Sequence, residues 1–171
     1  MEIIIYEDPG LFLKDTLDLF LAEEAENNLI LGLAINLYKF PGGWQTPPFL
    51  AVIKEDQTIL LAALMTPPRS LILTSFTQQP AECLNLLADH LWQIGVTVNG
   101  VNAENRLANQ FAYLWCERAA LHSVLNLRER VYRLDKVTAM ISDGGFMRPA
   151  ASVETVTLQQ WACAFHREGI G

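Results

Sequence analysis

Positive charge is scarce in this chain, and Arg128, Arg130 and Arg133 form its only concentration. Its 12 Lys and Arg are outnumbered by 19 Asp and Glu, giving a formal net charge of −7 over 171 residues. A nucleic-acid binder needs grouped Lys and Arg to neutralise phosphates, so no nucleic-acid partner is expected, and a membrane partner is disfavoured on the same ground. Paired cysteines are missing too. Cys83, Cys116 and Cys163 stand far apart, and an odd count without CxxC spacing argues against a disulfide framework or a zinc site. Histidine is limited to His90, His122 and His166. No metal ligand follows His90 one helical turn later, so a half-buried structural histidine is expected there and no metal is expected in the protein. No serine–histidine–carboxylate spacing stands out. The longest apolar stretch, Leu29–Leu37, is interrupted by Gly32 and Asn36 and is too short to span a bilayer. Met1–Glu2 leads straight into an apolar run with no basic region before it, so no signal peptide is expected. The expected setting is cytoplasmic.

What is present is enough apolar material for a sizeable core: 51% of residues are hydrophobic and 18% charged, which excludes a disordered chain. Glu2–Tyr6 reads as a buried strand. Asp8 is a good N-cap and Pro9 suits the first helical position. Leu13, Leu17, Phe20 and Leu21 then repeat at helical spacing. Ala22–Ala25 is expected to carry this helix directly into a second one ending near Lys39. The breakers from Phe40 to Pro48 mark a loop around Trp44.

Three apolar runs follow: Phe49–Lys54, Thr58–Thr66 and Ser70–Ser75. Glu55-Asp56-Gln57 separates the first two as a hairpin turn, and near-continuous apolar character suits strands covered on both faces. Leu84, Leu87, Ala88, Leu91 and Trp92 form a helical stripe that Gly95 ends. Val96–Val101 reads as a strand. Ala103 to Ala120 reads as a helix with Leu107, Ala108, Phe111, Leu114 and Trp115 on one side. His122–Val137 alternates loosely and is expected to be a long final strand. In it Arg128 and Arg130 share a face with Tyr132, a place for a small anion or for a solvated edge. Ala139–Ser152 is expected to be a linker, marked by Asp143-Gly144-Gly145. A last helix, Thr155–Arg167, presents Leu158, Trp161, Ala162 and Phe165 on one face.

The order β-α-α-β-β-β-α-β-α-β over residues 1–137 resembles the GNAT (N-acetyltransferase) family. Three stretches resemble one subgroup in particular: Glu24–Asn28 followed by Leu29–Leu37, Leu50–Val52 with Ala62–Pro68, and Arg130–Leu134. Met147–Ala150 and the helix carrying Trp161 and Phe165 look like the opening of a second GNAT unit. In that subgroup a degenerate N-terminal GNAT fold is followed by a complete one. The resemblance implies an α/β fold, a mixed and mostly antiparallel twisted sheet with helices on both faces. Residues 1–137 would be the GNAT-like domain and 138–171 a linker with an extra helix.

The resemblance also implies a cofactor, acetyl-CoA. The backbone of Leu73, Thr74 and Ser75 would hold its pantetheine arm, and Thr77, Gln78 and Gln79 its pyrophosphate. Family members carry Gln/Arg-x-x-Gly-x-Gly/Ala in that loop, because backbone N–H groups must approach phosphate closely. Here the loop is Ser75-Phe76-Thr77-Gln78-Gln79-Pro80-Ala81-Glu82 and has no glycine. Pro80 lacks an N–H, and Glu82 places a carboxylate where the phosphate would sit. The family's acid is often a tyrosine in Asn-x-x-Ala-x-x-Leu/Phe-Tyr. Asn105, Ala108 and Phe111 fit, the tyrosine position is Ala112, and Tyr113 follows one residue later, about 100° round the helix. Trp44 and Asn105 stand where the resemblance implies contact with an amine acceptor.

Three functions are therefore expected. The first is the N-terminal, non-catalytic half of an acetyltransferase, packed against a second GNAT domain; the glycine-free loop and the end of the chain soon after Phe165 favour it. The second is an acyl-CoA-dependent N-acyltransferase in which a small amine attacks the thioester directly and Tyr113 or water is the acid. The third is a dimerisation or ligand-binding module without catalysis, using the Trp44 loop or the last helix, for instance as a homodimer.

Overall fold

The computed structural model describes residues 1–44, 46–138 and 144–169. It divides into two compact units, Met1–Arg133 and Leu134–Gly171. The first is an α/β unit whose elements run β1 (Glu2–Ile5), α1 (Pro9–Ala22), α2 (Asn28–Lys39), β2 (Phe49–Glu55), β3 (Thr58–Met65), β4 (Leu71–Ser75), α3 (Ala81–Gln93), β5 (Val101–Asn102) and α4 (Asn105–Ala119).

One mixed sheet of five strands runs in the order β1-β2-β3-β4-β5. The first three pairings are antiparallel and β4–β5 is parallel. The period-two rule of a pleated strand sends alternate side chains to opposite faces, and both faces are apolar here. Ala51, Ile53, Leu61 and Ala63 join Leu84 and Leu87 of α3 and Phe111 of α4 in one core cluster. Leu50, Val52, Ala62 and Leu64 join Phe12 and Phe20 of α1 and Ile30 of α2 in another. Helices thus cover both faces, which is why β2 and β3 read as unbroken apolar runs. Phe12, Phe20 and Phe111 are among the largest fully buried side chains, each contributing about 1.5–3 kcal/mol by burial.

Local chemistry sets the ends of the elements. The Asp8 carboxylate accepts from the Gly10 N–H at 2.7 Å, with Pro9 at the first helical position. Glu104 caps α4, accepting from Arg106 and Leu107 N–H groups at 2.9 and 3.1 Å. The helices α3 and α4 are clasped by Arg118. Its Nε and Nη2 donate to Asp89 Oδ1 at 2.8 and 2.7 Å, and its Nη1 to the Leu114 carbonyl at 3.0 Å.

Three expectations are corrected. The first helix does not run into the second. Residues 23–27 form turns, where the Asn27 side-chain amide donates to the Phe20 carbonyl and that of Asn28 to the Ala25 carbonyl. Such local side-chain bonds to carbonyls compete with helix propagation. The fifth strand is two residues long rather than Val96–Val101, because its register covers only Leu71↔Val101 and Ile72↔Asn102. The long final strand is not formed. Residues 122–137 carry no helix or strand and are exposed throughout, since alternation defines a strand only where a neighbour accepts its hydrogen bonds.

The second unit holds a 3-10 turn (Ser152–Glu154) leading into α5 (Thr155–Gly169). Glu154 receives two Arg148 N–H donors at 2.7 and 2.8 Å and the Ala151 N–H at 2.7 Å; the Arg148 bonds first, then the Ala151 bond, hold its carboxyl down to about 2. None of this unit's described residues is buried. Among the described residues no helix is long and apolar enough to cross a membrane.

Candidate functional site

The candidate site lies where β4 leaves the sheet. β3 pairs β4 from Ile72 to Ser75, through Leu64↔Ile72, Ala63↔Leu73, Ala62↔Thr74 and Leu61↔Ser75. On the other edge β5 stops at Ile72. Leu73, Thr74 and Ser75 therefore run beyond their parallel neighbour, and that edge of the backbone opens as a notch at the carboxyl end of β4. Crevices at strand carboxyl ends, where neighbours part, are where open α/β sheets take ligands.

The loop above the notch is bonded to itself. The Ser75 hydroxyl donates to the Thr77 carbonyl at 2.9 Å and accepts from the Thr77 N–H at 3.3 Å. The Thr77 hydroxyl accepts from the Gln79 N–H at 3.3 Å. Two of the N–H groups that could meet an anion are thus occupied by side chains of the same loop. Pro80 is the N-cap of α3, supplies no N–H and makes no side-chain cap, and Glu82 lies in the first turn. The dipole of α3 is answered by Glu82 within the helix itself. Gln78 and Gln79 are exposed.

The other candidate residues lie on other elements, although Trp44 packs against the same cluster as Phe76 of this loop. Asn105 opens α4, and its Oδ1 accepts from Asn109 at 2.9 Å. Asn105, Asn109 and Tyr113 follow at four-residue intervals on the outer face of the helix. Tyr113 is 65% exposed, whereas Leu107, Phe111 and Trp115 on the opposite face are buried. Phe111 stacks on Trp115, centroids 6.2 Å apart and planes 11° apart. Trp44 is half-buried and packs against the α1/α2 cluster. Its indole N–H is buried without a partner, as is Gln110 Oε1 on α4. His90 is half-buried, its ring 6.4 Å from Phe49. Cys83 is buried, and burial pushes its thiol up, which makes it a core residue rather than a nucleophile. Arg128 and Arg130 share the exposed segment after α4. Among the described residues no group of three or more His, Cys, Asp or Glu could hold a metal ion.

One polar cluster gave no signal in the sequence. The Tyr6 hydroxyl donates to Asp15 Oδ2 at 2.6 Å, and Lys54 Nζ stands 3.5 Å from the same oxygen. Burial, then the bond to Asp15, raises the Tyr6 phenol well above its ordinary range. The Tyr6 bond is the largest cause holding Asp15 low, with Lys54 adding to it. The cluster ties β1, α1 and β2 together. No spacing rule connects these residues, because β1–β2 pairing creates the contact. Compared with family models, with curated proteins and with solved structures, the chain matches none.

Proposed function

We propose that this chain is a GNAT-like module without its own acetyl-CoA chemistry, the non-catalytic half of an acetyltransferase that works beside a catalytic half. The observation that carries this reading is the self-bonded loop after β4. An acetyl-CoA pyrophosphate needs free, converging backbone N–H groups. The Thr77 and Gln79 N–H groups are bonded to hydroxyls, Pro80 has none, and Glu82 would repel the phosphate. The residues present do not fit the group. The notch beside Leu73–Ser75 supports the family's sheet geometry, since a strand pair that parts is what such a fold offers to a pantetheine arm. Tyr113 is 65% exposed on the outer face of α4, turned away from the buried residues of that helix.

The test is calorimetric titration of acetyl-CoA and of CoA into the purified chain. No heat of binding at millimolar ligand is expected. Saturable binding in the micromolar range would overturn the reading and favour an acyltransferase acting on a small amine.

A further inference from the structure

The chain after α4 combines three properties that seldom occur together on a monomer's surface. It is exposed over its whole length, it alternates loosely, and it is basic. In residues 122–133 one parity carries Ser123, Leu125, Leu127, Glu129, Val131 and Arg133, and the other carries His122, Val124, Asn126, Arg128, Arg130 and Tyr132. In an extended chain the first parity concentrates the large aliphatic side chains, Leu125, Leu127 and Val131, and the second holds two of the segment's three arginines beside Tyr132 and Val124. Val124, Leu125 and Leu127 are 88, 63 and 64% exposed, and Tyr132 is 84% exposed. Exposed apolar strand-like segments beside an open sheet edge are templates for pairing.

The same molecule holds an open edge. The sheet ends at β5, whose outer side has no strand neighbour among the described residues. Beside that edge lies a groove of about 520 Å³ lined by Trp92, Val96, Val98, Trp115 and Leu121. Leu121 is the residue from which the segment departs, so the segment leaves the body next to β5. Ala120 directs the departure. It sits in the left-handed region at φ 52°, and the N–H groups of Ala120 and Leu121 both return to the Cys116 carbonyl, a firm helix stop that sends the segment into solvent.

Charge favours a body of the same kind as the receiver. Residues 1–121 hold six basic and fourteen acidic side chains, and residues 122–133 hold three basic and one acidic. A basic strand and an acidic body are complementary. A segment and an edge that complement each other on one chain close a two-fold exchange between two chains.

We propose that residues 122–133 are a strand donated to the free edge of β5 in a second copy of this chain, with the parity of Leu125, Leu127 and Val131 covering the tryptophan groove. The inference rests on backbone edges and charge and is independent of acetyl-CoA. Light scattering after size exclusion, across a dilution series, is expected to give twice 19.2 kDa at high concentration and the single mass on dilution. Leu127→Pro and Arg128→Pro are made together as separate variants, because one of two adjacent N–H groups must face the ladder. At least one of them is expected to be monomeric with unchanged helix content. Hydrogen exchange on the unaltered chain should protect amides of 124–132 and 99–103 in the dimer and release both on dilution. A single mass at every concentration would overturn the proposal, with or without protection of the segment. So would a dimer that both proline variants leave intact, or protection at 2–5 instead of 99–103.

Discussion

Asp15 shows how one side chain can join three elements. Its carboxylate accepts from Tyr6 of the β1 end and faces Lys54 of β2. Its pKa is lowered in the fold, first by the Tyr6 bond, so its contribution is present above the ordinary carboxylate value, about 3.9, and is lost as pH falls through the lower folded value. Tyr6 is raised, so its contribution is present below about pH 10 and is lost as pH rises through the folded value. Tyr6→Phe should cost about 1 kcal/mol, discounted because the Asp15 side chain is 37% exposed and screened by solvent. Urea titrations from pH 4 to pH 10 should show the difference between Tyr6→Phe and the unaltered chain as nearly constant, shrinking outside that window. None of this was legible in the sequence, because the Tyr6–Asp15 bond depends on where β1 places the chain entering α1. The half-buried state of His90 was legible, since its helix stripe places it beside Leu91.

Helices and strands were read well where burial is strong and poorly where a neighbour decides. Period and caps located α1, α3, β2 and β3 because their apolar residues face two clusters that need them. The break at residues 23–27 escaped because Ala22–Ala25 has good helix propensity, while Asn27 and Asn28 bond carbonyls outside the helical pattern. The segment after α4 has the alternation of a strand and no neighbour in its own sheet. Two outcomes belong to this scale. Phe111→Ala, at a residue 1% exposed that stacks on Trp115, should destabilise by about 3–5 kcal/mol in denaturant unfolding. Ala120→Gly, at φ 52°, should stabilise by about 0.5–1 kcal/mol, the left-handed cost of a Cβ less the greater entropy of unfolded glycine. A loss of stability there would mean that the helix stop does not strain Ala120.

The first unit, Met1–Arg133, has two apolar cores on one sheet, a notch at the end of β4, and a loop that uses its own hydroxyls to fill its own donors. The sheet's class could be read from the order of apolar runs. The candidate site could be read only as a position, because whether the loop's N–H groups are free depends on how Ser75 and Thr77 turn, which spacing does not reveal. Removing those hydroxyls should not by itself create an anion site, since Pro80 and Glu82 remain. Ser75→Ala with Thr77→Ala is expected to leave acetyl-CoA binding undetectable by calorimetry, and binding gained by that variant would identify the hydroxyls alone as the block. The most direct measurement is an amide nitrogen–proton NMR titration with CoA, following the Thr77 and Gln79 signals in the unaltered chain. Both signals are expected to stay in place up to millimolar CoA, as donors already bonded within their own loop. Saturating shifts at both would contradict a self-bonded loop and return acetyl-CoA chemistry to this chain.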